Sequence, residues 1–130
     1  MPRTPRPLSV ICVEDNPLLA THLQLLIEEA GHRFAGSATS FSEVRDLFER
    51  RDFDLALVDI DLADGRTGGD IAEWLTDRGR ATLFITGQDE LARAFDHLSL
   101  GIIAKPVSEC ELVDALHRVQ DRICGTDHES

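Results

Sequence analysis

The stretch Leu8-Ser-Val-Ile-Cys-Val-Glu-Asp-Asn-Pro17 decides the fold. Its first six residues, apolar apart from Ser9, have the length and composition of a strand covered on both faces, as strands of a parallel sheet are. Glu14 and Asp15 follow at once, and Asn16-Pro17 then supplies an N-cap and a first-turn proline. Leu19, Leu23, Leu26, Ile27 and Ala30 continue at helical spacing until Gly31 stops them. A buried strand that hands over to an amphipathic helix through a short acidic turn is the opening of a β-α unit.

The same alternation recurs along the chain. Further apolar runs are Arg33 to Ala38, polar enough for a sheet edge, then Leu55-Ala-Leu-Val-Asp-Ile60, Ala81-Thr-Leu-Phe-Ile85 and Gly101-Ile-Ile-Ala104. Between them, Ser40 or Ser42 caps a stretch with Val44, Leu47 and Phe48, and Asp70 to Thr76 carries Ile71, Trp74 and Leu75. Leu91, Ala94, Phe95 and Leu98 mark a fourth helical stretch. Ser108, with Glu111 at capping-box spacing, opens a fifth that runs through Leu112, Leu116, Val119 and Ile123. Five β-α units with right-handed crossovers make an α/β fold, a doubly wound parallel sheet with helices on both faces. The expected organisation is a flexible lead-in at 1–7, one domain at 8–124 and a polar tail at 125–130.

The chain has 130 residues, with 13 Lys plus Arg against 24 Asp plus Glu, a formal net charge of −11. Such a surface repels phosphate backbones and anionic lipid, so neither nucleic acid nor a membrane is expected as a direct partner. The apolar run at Leu8 to Val13 is too short for a signal or a span. Cys12, Cys110 and Cys124 show no metal-ligand spacing and read as reduced thiols of a cytoplasmic protein.

In open α/β sheets the ligand site lies beyond the carboxyl ends of the strands. Those ends carry Glu14 and Asp15, then Asp59 followed by Asp61, then Thr86, then Lys105 with Pro106. Carboxylates gathered this closely raise one another's pKa and call for a compensating charge. Mg²⁺ suits such oxygen ligands, Lys105 can pair a carboxylate or a phosphoryl oxygen, and Thr86 can donate to the same group. The set fits phosphoryl chemistry with an aspartate nucleophile. Lys105 is the chain's one lysine; every other basic residue is arginine, which is not interchangeable with lysine at a tight phosphoryl site.

These residues, at these strand ends, resemble the receiver domain of two-component response regulators across Leu8 to Ile123. The resemblance implies a flavodoxin-like strand order 2-1-3-4-5 and makes Asp59 the phosphoacceptor for a sensor histidine kinase or phosphotransfer protein. It implies Mg²⁺ held by Asp15, Asp59 and the Asp61 carbonyl, with Glu14 acting largely through water. Lys105 and Thr86 would bind phosphoryl oxygens, while Asp61 and Gln88 occupy positions that tune acyl-phosphate hydrolysis. Output is expected as protein binding through the face of the fourth helical stretch, fifth strand and fifth helical stretch, because the sequence carries no second domain. The catalysis implied is only the chain's own phosphotransfer and hydrolysis.

The pattern also departs from the family. Ile102 stands where many receivers carry a switch aromatic, Ala63 replaces the usual proline, and glycines at Gly65, Gly68 and Gly69 favour a mobile loop. Leu83-Phe-Ile-Thr-Gly87 is similar to a subgroup whose fourth strand reads Phe-Ala-Thr-Gly, though Gln88 stands near the place of its tyrosine.

Plainer readings compete with these assignments. Glu14 and Asp15 alone could be turn acids favoured at a helix N-terminus. Asp64 and Asp70 read as loop and N-cap acids, the five His as surface or helix-face residues, and Trp74, the Phe residues and Cys12 as core. One rival function is an unphosphorylated receiver-like interaction module. Another is a haloacid-dehalogenase-type phosphohydrolase, suggested by Asp59-Ile60-Asp61, but there the further metal-binding acids come after the lysine, whereas here the extra acids come before Asp59, and the chain lacks room for a cap domain. A flavin module would need a phosphate-cradling loop where Glu14 and Asp15 stand.

Overall fold

The computed structural model describes residues 6–60, 68–87, 97 and 99–128. Its elements are β1 (Ser9–Val13), α1 (Pro17–Glu29), β2 (Arg33–Ala38), α2 (Phe41–Arg50), β3 (Leu55–Asp59), α3 (Gly68–Thr76), β4 (Ala81–Thr86), β5 (Ile102–Ala104) and the C-terminal helix α4 (Glu109–His128). All five strands pair in parallel in the order β2-β1-β3-β4-β5, with the polar Arg33–Ala38 run at an edge as its composition predicts. The fourth expected helical stretch, around Leu91 to Leu98, lies outside the described residues.

Alternation along each strand divides the core into two layers. Val10, Cys12, Leu55, Leu57, Leu83 and Ile85 face Leu23, Leu26 and Ile27 of α1 and Leu112, Leu116 and Val119 of α4. Ile11, Val13, Ala56, Val58 and Phe84 face Val44 and Leu47 of α2 and Ile71 and Leu75 of α3. Each fully buried side chain of this size contributes about 1.5–3 kcal/mol by leaving water. The sheet is therefore anchored from both sides, and its strand ends are held firmly in place.

Local signals explain the helix starts. Asn16 Oδ1 accepts hydrogen bonds from the Leu18 and Leu19 amides with Pro17 at the first helical position, and Ser40 caps α2 by accepting from the Glu43 amide. Ser108 Oγ accepts from the Glu111 amide, the forward half of the expected capping box. Past α1, Gly31 adopts φ 89°, a left-handed conformation that suits glycine after a helix end.

Several expectations need correction. Asp70 lies within the first turn of α3, not at its cap, because Gly68 and Gly69 open the helix and do not belong to the preceding loop. α4 continues through Gly125 to His128, four residues into the expected tail. Arg6, expected in a flexible lead-in, is tied down: its guanidinium grips both carboxylate oxygens of Asp54 at 2.9 Å, and its carbonyl accepts from Gln120 Nε2. Among the aromatics, Phe53 and Phe84 are buried, whereas Phe41, Phe48 and Trp74 form a half-buried cluster between α2 and α3, with Arg78 stacked on Trp74. Cys12 is core, and burial, with the Glu14 charge, pushes its thiol up to about 12. No helix among the described residues is long and apolar enough to cross a membrane.

Candidate functional site

The parallel register delivers the acidic residues to one end of the sheet. Val13 pairs with Ala38 and with the β3 residues leading to Asp59, so Glu14 and Asp15 emerge beside the end of β3. Asp59 lies opposite Ile85, and Thr86 opposite Ala104, which brings Lys105 in from β5. Lys105 donates its backbone N–H to the Thr86 carbonyl at 2.9 Å.

Side chains at this end are unusually buried for charged groups. Glu14 and Asp59 are each about 3% exposed and Thr86 is buried, while Asp15 is open to solvent. Lys105 Nζ donates to Asp59 Oδ2 at 3.1 Å and stands 3.5 Å from Glu14 Oε1. Glu14 Oε2 accepts from the Asn16 amide at 3.0 Å, so the residue that caps α1 also fixes the acid. Carboxylate oxygens of Glu14, Asp15 and Asp59 all lie within 4.8 Å of one another.

The electrostatics follow from this crowding. Burial first, and then the charge of Asp59, lift the Glu14 carboxyl to about 7, against the pull of the Asn16 amide and Lys105. Burial alone would lower Lys105, but its hydrogen bond to Asp59 and the charges of Asp59 and Glu14 hold it above the usual lysine value. One ammonium thus serves two carboxylates. Glu14 Oε1 is buried without a hydrogen-bond partner among the described residues, which is the condition a hard cation relieves. The donor set, three carboxylates around a site with one exposed member, fits Mg²⁺.

The sequence-predicted residues Glu14, Asp15, Asp59, Thr86 and Lys105 therefore converge, while Asp61 and Gln88 lie outside the described residues. Ile102 is half-buried, pairs with Phe84 across β4 and packs on the α2/α3 layer. Sequence reasoning took Gly68 for a loop glycine and missed its packing role. A Cβ there would lie 2.8 Å from Ile60 Cα and 2.9 Å from the Asp59 carbonyl oxygen, so α3 can pack against the acceptor strand only through a glycine. The Gly-Gly pair before an apolar helical pattern was the available signal.

The response regulator receiver domain family matches this chain over residues 10–117. The chain belongs to that family. Receiver domains are signalling modules, not enzymes turning over a separate substrate, which removes the phosphohydrolase reading. Among relatives, the phyllosphere-induced regulator PhyR of Methylorubrum extorquens is 36% identical over 83 residues, 62% of this chain and 31% of PhyR. The sensor protein GacS of Pseudomonas syringae pv. syringae is 29% identical over 123 residues, 88% of this chain and 13% of GacS. The chain thus spans under a third of either relative. The solution structure of the PhyR receiver domain of Erythrobacter litoralis superposes with a TM-score of 0.79 at 27% identity, covering 87% of this chain and 89% of that one. The receiver assignment and the flavodoxin-like strand order agree.

Proposed function

We propose that the chain is a response regulator receiver that takes a phosphoryl group on Asp59 from the phosphohistidine of a sensor histidine kinase or phosphotransfer protein, in the presence of Mg²⁺. The observation that carries this reading is the Asp59 carboxylate at the end of β3, hydrogen-bonded to Lys105 Nζ and sharing one end of the sheet with Glu14 and Asp15. Likeness to the receivers of PhyR and to a sensor protein supports a place in two-component signalling.

An Asp59 oxygen attacks phosphorus, the O–P bond forms as the N–P bond breaks, and the imidazole leaves with its electron pair and takes up a proton. Glu14, Asp15, Asp59 and the Asp61 carbonyl would hold Mg²⁺, with Glu14 acting largely through water. When bound, the ion supplies positive charge against the transferring phosphoryl oxygens. Lys105, held by Asp59 and Glu14 before transfer, is already within reach of a new phosphoryl oxygen afterwards. Thr86, buried at the end of β4, hydrogen-bonds another oxygen and couples the site to β5 through its carbonyl contact with Lys105. Ile102 fills the switch-aromatic place with a side chain that cannot signal by a large ring flip. Asp61 and Gln88 set the acyl-phosphate lifetime. The signal leaves by protein binding at the face that includes β5 and α4, in a cytoplasmic setting.

Incubation with Mg²⁺ and acetyl phosphate, read by intact mass, tests this. A gain of one phosphoryl group that requires Mg²⁺ and disappears in Asp59→Asn supports the reading. Absence of any adduct, together with no transfer from a phosphorylated histidine donor, would favour the unphosphorylated interaction module.

A further inference from the structure

The opposite end of the sheet gathers arginines. Parallel strands place all their amino ends together, so Arg33 at the start of β2, Arg50 and Arg51 at the end of α2, Arg80 before β4 and Arg6 before β1 gather at one pole. Asp52 and Asp54 share that pole, with Glu28 and Glu29 at the end of α1, Glu49 on the last turn of α2 and Asp77 after α3. Five of the chain's 13 basic residues thus share this pole with six acids, and what matters is which of the arginines those acids engage.

The two aspartates are already engaged. Asp54 accepts two hydrogen bonds from Arg6 and one from the Ser9 amide, and Asp52 pairs with Arg80 at 3.3 Å. Arg80 is further fixed by stacking over Phe48 at 5.1 Å. Arg33, Arg50 and Arg51 are exposed and make no ion pair among the described residues; Arg50 Nε donates only to the Asp46 carbonyl of its own helix at 3.4 Å. These three side chains, with Asp52 and the half-buried Phe34 and Ala35 of β2, line an open concavity of about 550 Å³. It lies roughly 17 Å, one five-residue strand, from the carboxylate site.

We propose that this concavity is a docking surface for a short acidic segment of a partner protein, distinct from the phosphoacceptor end. Guanidinium groups present planar forks that match carboxylates, and the edge strand at Phe34 and Ala35 lines the concavity beside them. A short peptide fits the cavity's extent. A long polyanion does not, because it would run onto the acidic remainder of the surface. The surface works without phosphorylation, so it is independent of the role assigned to Asp59.

Fluorescence anisotropy with a fluorescein-labelled peptide of glutamates around a single leucine tests it at low ionic strength, with the same peptide carrying glutamine for glutamate as control. Saturable, salt-sensitive binding is expected for the glutamate peptide alone. It should weaken at least roughly tenfold in Arg33→Ala/Arg50→Ala/Arg51→Ala and in the single reversal Arg51→Glu, and stay unchanged in Asp59→Asn. Trp74 fluorescence verifies that each variant is folded. No saturable binding by the wild type, equal binding by the folded arginine variants, or tighter binding of a single-stranded oligonucleotide of matched charge would overturn the proposal.

Discussion

The two ends of the sheet handle charge in opposite ways. At the carboxyl end, Glu14 and Asp59 are buried against each other and depend on one partly exposed ammonium. At the amino end, Asp54 is held partly buried by Arg6 and the Ser9 amide, whereas Arg33, Arg50, Arg51 and Asp52 stand in water, where pairing is nearly neutral in energy. Buried like charges hold a site ready for a cation and a phosphoryl group at the expense of the resting fold. Exposed unlike charges cost the fold little and leave spare guanidinium groups for a partner. Changes at the carboxyl end should therefore alter stability strongly, and those at the amino end weakly.

The largest effect is expected where that end is packed most tightly. Gly68→Ala forces a methyl group against Ile60 Cα and the Asp59 carbonyl and should lower unfolding free energy by about 1–3 kcal/mol in urea titrations. A change within about 0.5 kcal/mol would break the claim that α3 is pinned to the acceptor strand.

Glu14 comes next. Its carboxyl titrates near 7 in the fold against an ordinary 4.5, so folding takes up a proton between those values. Stability of the metal-free chain should fall as pH rises through that window, by about 3 kcal/mol at most, and level off above it. Glu14→Gln should flatten this part of the profile. Added Mg²⁺ should restore stability mainly on the alkaline side, by binding the ionised form.

Lys105→Ala removes the cation shared by both buried carboxylates. Since the ammonium is about a third exposed, the expected loss is discounted to about 1–2 kcal/mol, measurable by chemical denaturation and larger at alkaline than at acidic pH. An unchanged or more stable variant at alkaline pH would show that solvent already screens the two acids.

The amino end supplies the opposite pH slope through His32. Burial first, and then the charge of His117, hold this imidazole below its usual 6.5, and its Nδ1 accepts from the Leu8 amide. Protonation would put a hydrogen on that acceptor. Its stabilising contribution is therefore present above 6.5 and lost as pH falls through the folded value, and His32→Gln should remove that acid-side slope in thermal unfolding scans. Asp52→Ala is expected to have the smallest effect, about 0.5 kcal/mol or less, because Asp52 is almost fully exposed and, among the described residues, pairs only with Arg80.

The contrast between the ends also bears on what a sequence can reveal. Strands and helices were legible because each apolar run and helical spacing is local, and Asn16-Pro17 and Ser108 are local caps. The carboxylate end was legible because strand ends are identifiable once the sheet is known to be parallel, so Asp59 and Lys105 could be placed together across 46 residues. The start of α3 was not, because the pair Gly68-Gly69 lowers helix propensity and its close approach to Ile60 is a tertiary fact. Nor was burial of His32, which depends on the Leu8 amide 24 residues earlier. The arginine pole is assembled from five separate places in the chain, none of which is a basic run.

The central claim is that Asp59 carries the phosphoryl group. After treatment with Mg²⁺ and acetyl phosphate, borohydride reduction converts an aspartyl phosphate to homoserine, which peptide mass mapping locates. Homoserine at position 59 alone, absent when Mg²⁺ is withheld, is the predicted result; homoserine at Asp15 or another acid, or at none, would contradict it.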